Sequence, residues 1–245
     1  MPGLVSYIPI ATTTVALVFA TVLFRRWRER GGLHLMWWGL GALTFAAGTI
    51  TESLTTLTGW HEGVFRAWYI TGALLGGAPL AQGSVYLHLK RATANRLTVA
   101  LVSVIVVAST CVLLSPIHYD QVEHYHLTGK VFVWTWVRAF SPFVNLYAVI
   151  FLIGGAILSA WRFSRSRDTW NRFIGNVWIA IGAILPGIGG TFTRFGHTEV
   201  LYVTEFIGLS MIIVGYRYNI RAPRLGARPQ AGDAPLSDAR NAVEA

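Results

Sequence analysis

Seven apolar stretches, at 4–24, 34–58, 64–89, 97–115, 137–160, 173–193 and 199–218, take up most of this 245-residue chain. Each is close to the roughly 20 residues a helix needs to cross a bilayer core of about 30 Å. Backbone inside lipid must satisfy its own hydrogen bonds, so stretches of this length fold as helices. The short polar connections between them leave no room for another domain. The predicted fold is an all-α integral membrane bundle of seven transmembrane helices. Composition agrees, with 53% hydrophobic and only 13% charged residues, against about 25% charged in an ordinary soluble domain. That excludes a water-soluble enzyme, and the apolar content excludes a disordered chain. A single cysteine, Cys111, rules out an internal disulfide and any cysteine-based zinc site.

Basic residues predict the orientation. Sixteen of the twenty fall in the odd-numbered connections and the C-terminal tail, among them Arg25, Arg26, Lys90, Arg91, Arg162 and Arg221. By the positive-inside rule the N-terminus is outside and the C-terminus cytoplasmic, and the expected location is the bacterial cytoplasmic membrane. The first stretch lacks a basic segment before it, so it reads as a retained span and not as a cleaved signal. A net charge of +9 would suggest nucleic acid in a soluble protein. Here it faces anionic headgroups, and no nucleic-acid partner is expected. Residues 1–221 form the transmembrane domain, while 222–245, rich in Ala, Pro, Gly and Arg, read as a disordered cytoplasmic tail.

The two ends of the chain share a faint pattern. FRRWRERGGLHLMWWGLGAL in the first half parallels WRFSRSRDTWNRFIGNVWIAIGAI in the second, and Tyr69-Ile70-Thr71 parallels Tyr202-Val203-Thr204. This is compatible with a 3+1+3 arrangement in which the fourth helix is the linker. It equally fits chance alignment of Trp-, Arg- and Gly-rich membrane sequence.

Ionisable residues within spans carry the functional reading, because each costs about 2.5–3.5 kcal/mol on insertion scales and needs a partner or a purpose. Glu52 sits seven residues before Gly59, and Glu205 six after Glu199, placing both about 10 Å below the outer boundary. Arg66, Arg138 and Arg194 lie near the outer ends of three other spans. The candidate ligand site therefore has Glu52 and Glu205 as its floor, Arg66, Arg138 and Arg194 as countercharges, and His61, His197 and Tyr202 as its rim. Simple salt bridging, with arginines reaching to the headgroups, is the structural alternative. Pro79, Pro142 and Pro186 inside spans, with Gly72, Gly76, Gly77, Gly182, Gly187, Gly189 and Gly190, predict kinks and close helix approaches around a hydrated cavity. Trp68 and Trp178 read as core packing.

Histidine and acid recur together in the outer loops, most densely in HYDQVEHYH at 118–126. His118, Asp120, His124 and His126 are metal candidates by ligand type, although their spacing matches no metal motif. A solvated loop is the plainer reading, and zinc is not expected. His34 and His88 share an inner depth that a bis-histidine haem would require, but hydrogen bonding at a helix end explains each, and no haem is expected. Retinal is excluded because neither lysine, Lys90 or Lys130, lies in the seventh stretch. A zinc-dependent seven-helix hydrolase would need histidines deep within its spans, which this chain lacks, so no enzymatic activity is expected.

The stretch GTITESLTTLTGWHEGVFRAWYITGALLGGAPLAQGSVYLHLKR, with a Glu in the second span, a Trp-Tyr start to the third and a Gly-rich middle, resembles the seven-transmembrane sensor region of bacterial histidine kinases. No kinase sequence follows here. The resemblance implies a stand-alone, sensor-like or binding membrane domain. Together with the polar groups in the spans, the expected function is that of a receptor-like protein that binds a small-molecule ligand and is read by a cytoplasmic or membrane protein partner. A proton-coupled small-molecule transporter and an accessory subunit of a larger membrane complex remain the alternatives.

Overall fold

The computed structural model describes residues 3–165 and 167–221, the side chains of Asp168 and Arg194 excepted. The predicted disordered tail, 222–245, lies outside the described residues. The described chain is helical throughout: α1 (Ile8–Arg30), α2 (Leu33–Thr58), α3 (Glu62–Trp68), α4 (Ala78–His88), α5 (Arg91–Leu114), α6 (Phe140–Ala148), α7 (Gly154–Phe163), α8 (Trp170–Phe192) and α9 (Thr198–Arg221). Six helical segments are long and apolar enough to cross a membrane: Leu4–Arg30, Leu33–Thr58, Arg91–Leu114, Thr135–Phe163, Trp170–Phe192 and Thr198–Arg221. Large apolar side chains on their outer faces, such as Val99, Leu114 and Phe143, are mostly exposed. Lipid is the solvent that accepts such a surface, and the protein is an integral membrane protein.

The remaining predicted span, 64–89, is not one helix. After α3 the chain widens into a π-helical stretch, Tyr69–Leu74, then turns at 75–77 before α4 begins. Gly76 takes a positive φ of 41°, which a side chain would resist. Pro79 falls in the first turn of α4, where its missing N–H costs nothing. Asn145 of α6 repairs the break, donating from Nδ2 to the Ala73 carbonyl at 3.1 Å. Opposite, α6 and α7 are joined by a second π-helical stretch, Val149–Ile153. Of the predicted proline kinks, Pro142 sits in the first turn of α6 and Pro186 lies inside α8 without ending it.

The tightest packing joins α8 to α9. Gly175, Gly182 and Gly189 recur every seven residues on α8, and Leu201, Gly208 and Gly215 do so on α9. A Cβ on Gly182 would stand 2.6 Å from the Gly208 carbonyl oxygen, and one on Gly215 2.4 Å from that of Gly175. The two backbones touch, as small residues allow in lipid, where no hydrophobic force draws helices together. Leu209 and Tyr216 of α9 join Ala16, Phe19, Ala20 and Leu23 of α1 and Leu35, Ala42 and Ala46 of α2 in the main core.

The 115–139 segment folds as a cap, while most of its polar run 118–126 is exposed, as expected of a solvated stretch. Ile117 and Phe132 form an antiparallel bridge, and the Trp60 amide bonds the His124 carbonyl at 2.7 Å. Phe132 is fully buried against Phe65 and Tyr69, with ring centroids 5.0 and 4.8 Å away. The cap therefore closes over the ends of α2 and α3.

Candidate functional site

Beneath the cap, α2 buries an unusual polar run: Thr49, Thr51, Glu52, Ser53, Thr55 and Thr56, with Thr12 and Thr13 of α1 beside it. Thr13 and Thr49 share a hydrogen bond of 2.8 Å. Most of these hydroxyls turn back onto their own helix, as Ser and Thr do in apolar surroundings. Thr51 donates to the Gly48 carbonyl, Ser53 to Thr49, and Thr55 to Thr51. Their protons are thereby used within the helix.

Glu52 projects into this seam with only 3% of its surface exposed. Its carboxyl group and that of Glu205, from α9, interact directly. The indole of Trp68, at the end of α3, donates to Glu52 Oε1 at 3.1 Å. The other oxygen of each carboxyl, Oε2, is sealed from solvent without a hydrogen-bond partner among the described residues. Three separated segments, α2, α3 and α9, thus meet at one acidic pair.

Above the pair lies a cavity of about 200 Å³, lined by Gly3, Ser6, Thr56, Tyr125, His126, Thr198, Glu199 and Tyr202. Thr56 is one helical turn beyond Glu52, and Tyr202 stands three residues before Glu205. These two are the cavity residues nearest in sequence to the carboxyls, neither of which lines the cavity itself. Tyr202 is buried and within electrostatic reach of Glu52, Glu205 and Glu199. Thr56 ties α2 to the chain's beginning by donating to the Ser6 carbonyl at 3.2 Å. The cap supplies Tyr125 and His126, the latter held by Glu123 Oε2 at 2.5 Å from its Nδ1.

The sequence-predicted site residues divide. Glu52, Glu205 and Tyr202 come together as expected. Arg66 does not reach the acidic pair: it bridges Glu62 at 2.7 Å and donates to the carbonyls of Val112 and Ser115, the latter at 2.9 Å. Those carbonyls close α5, and a guanidinium is well suited to helix-end oxygens that lack partners. Tyr119 donates to the same Glu62 at 2.5 Å. That hydrogen bond and the bond from Arg66 hold the Glu62 carboxyl below the usual carboxylate range, while the Tyr119 hydroxyl is pushed up. Arg138 is exposed near Gly129, and the Arg194 side chain lies outside the described residues. His61 is exposed, with its Nδ1 3.1 Å from the Gly59 carbonyl, and His197 is exposed as well. Neither lines the cavity; Tyr125 and His126 take that place.

The metal candidates separate into small pairs. His118 lies 3.7 Å from Asp120, and His124 packs edge-on against Tyr125. Among the described residues no three His, Cys, Asp or Glu side chains converge as a metal site. His34 packs on Trp38, and both ring nitrogens of His88 are engaged, by the Ser84 carbonyl and the Ser159 hydroxyl, each at 2.8 Å. Trp68 packs against Phe65 and Tyr69 as expected, and its indole N–H serves Glu52 besides. Its position 16 residues after Glu52 carries no periodic signal that would have linked them. Trp178 lies more than a third exposed on the bundle's outside. No family model matches this chain, and neither a curated protein nor a solved structure is similar to it.

Proposed function

We propose that the protein is a seven-pass membrane receptor of the sensor type, which binds a small ligand in an outward-facing polar pocket and carries out no catalysis. The broken 64–89 segment is the seventh crossing, and the arginine-rich connections lie on the cytoplasmic side. On that orientation the cap, the cavity and the chain's beginning face outward. The carrying observation is the 200 Å³ cavity, whose lining includes Thr56, one helical turn beyond the buried Glu52, and Tyr202, three residues before Glu205. A small cavity with a few convergent polar groups can fix the orientation of a small molecule. His126, Glu199 and Tyr125 offer donors, an acceptor and an aromatic wall, so the ligand is a small polar molecule. Binding between α2 and α9 would move the α8–α9 hairpin, whose far end lies beside the cytoplasmic arginines. A separate cytoplasmic or membrane partner would read that movement.

Native mass spectrometry of the intact chain in mild detergent tests this reading. The expected result is a reproducible extra mass on the monomer, lost in Tyr202→Phe or Glu199→Gln. A bare chain under all mild conditions contradicts it, and a fixed heteromer would point instead to an accessory subunit. A second reading, a proton-coupled transporter in the bacterial cytoplasmic membrane, is favoured by one observation. Two passes carry π-helical stretches, and one of them begins next to Trp68, whose indole bonds the buried Glu52. Interrupted helices at membrane depth are a common transporter feature. Flux into liposomes that Glu205→Gln abolishes would select this second reading.

A further inference from the structure

We propose that Glu52 and Glu205 together form a proton site, in which one exchangeable proton is held between the two carboxyl groups. The inference goes beyond ligand binding in the cavity and does not depend on it. Both Oε2 atoms are sealed without a partner, and Glu52 is almost wholly buried. Two facing carboxylates would repel strongly in so dry a place. A single proton removes the repulsion and satisfies both oxygens at once, one carboxyl donating and the other accepting.

The neighbouring groups leave that proton no competitor. From α2 the surrounding hydroxyls of Thr49, Thr51, Ser53 and Thr55 donate to carbonyls of their own helix. From α9, Thr204 does the same, and the titratable groups are Tyr202 and Glu199. α1 contributes the buried Thr12 and Thr13, and α3 the neutral indole of Trp68. The cap's His126 lies across the cavity and is held by Glu123. Arg66 is committed to Glu62 and the end of α5. Among the described residues neither carboxyl has an ion pair. A metal ion would require more oxygen ligands than two carboxyls supply, and among the described residues no third acidic or histidine side chain joins them. A proton needs only the pair.

The test is infrared difference spectroscopy on the full-length protein in lipid nanodiscs, titrated with pH and repeated in heavy water, with no ligand added. The wild type is expected to show one exchangeable protonated carboxyl per chain. Glu52→Gln and Glu205→Gln each remove its band, because the new amide donates to the remaining carboxylate and no proton is needed. Glu199→Gln leaves the band intact. Glu205→Asp, which keeps a carboxyl in place, retains a band at shifted frequency and guards against loss of fold. The proposal is overturned if the band survives either single glutamine substitution, if two protons are counted, or if sodium ions discharge it at constant pH. The absence of any exchangeable protonated carboxyl in the wild type overturns it too. A lost band with a retained ligand mass, or the reverse, separates failure of this site from failure of the cavity reading.

Discussion

Adding one methyl group at Gly182 isolates the force that joins α8 to α9. The alanine Cβ would stand 2.6 Å from the Gly208 carbonyl oxygen and 3.0 Å from the Ile212 amide nitrogen, both backbone atoms that cannot rotate away. Ordinary contact begins at 3.4 Å, so the helices must part by about 0.8 Å. A gap of that size forfeits a quarter to a half of each dispersion contact along the seam. Overpacking of this kind costs about 1–3 kcal/mol. Gly187 on the same helix has nothing within 4 Å of its added Cβ, so Gly187→Ala carries the same gain in helix propensity, up to about 1 kcal/mol, without the clash. The difference between the two variants is therefore the clash alone. Thermal unfolding in detergent, followed by tryptophan fluorescence, should place Gly182→Ala below Gly187→Ala by about 2–4 °C for each kcal/mol. Equal midpoints, or a more stable Gly182→Ala, would refute backbone contact as the basis of this pairing. The glycine seam also sets where α9 presents Glu205, so Gly182→Ala should weaken the Glu52–Glu205 carboxyl band as well.

Two further outcomes follow from groups outside the acidic pair. Glu62 titrates below the ordinary carboxylate value because Tyr119 and Arg66 bond its charged form. Its contribution to stability is present above the unfolded pKa and is lost as pH falls through the lowered folded one. Tyr119→Phe should raise the Glu62 pKa toward the ordinary carboxylate range, read by carbon-13 titration, and an unmoved titration would contradict the assignment. Gln82 is wholly buried, donates to Thr98 at 2.7 Å and to the Ala94 carbonyl at 3.2 Å, and accepts from Tyr147. Gln82→Leu leaves the Tyr147 hydroxyl without its acceptor, while Thr98 and the Ala94 carbonyl keep their mutual bond, and should cost about 1–3 kcal/mol in chemical denaturation; a neutral substitution would contradict it.

The membrane bundle was legible because hydrophobic length is a one-dimensional property. The nearness of Glu52 and Glu205 was legible for the same reason, since counting residues from each helix end gave both the same depth, but neither lines the cavity as its expected floor. Partner choice was not legible. Arg66 and Glu62 are an (i, i+4) pair on one helix face, yet depth alone suggested Arg66 for Glu52. The 118–126 run reads as solvated from its polarity, while apolar residues flanking it, Val131, Phe132 and Val137, fold it into a cap. That is how Tyr125 and His126 reach a cavity for which the more membrane-proximal His61 and His197 were the expected rim. The break at 75–77 follows from several glycines acting together with Pro79, whose combined effect no single residue announces. The seven-residue glycine repeat was readable, but glycine clusters without attention to period hide it.

Cysteine accessibility in intact cells tests the outward pocket most directly. With Cys111→Ser as background, Thr198→Cys at the cavity wall, Glu205→Cys at the buried pair and Thr93→Cys, exposed in the first turn of α5, are each treated with a membrane-impermeant thiol reagent. The account predicts labelling of Thr198→Cys alone, and labelling of Thr93→Cys only once the membrane is opened. Labelling of Thr93→Cys in intact cells, with Thr198→Cys protected until permeabilisation, would contradict it.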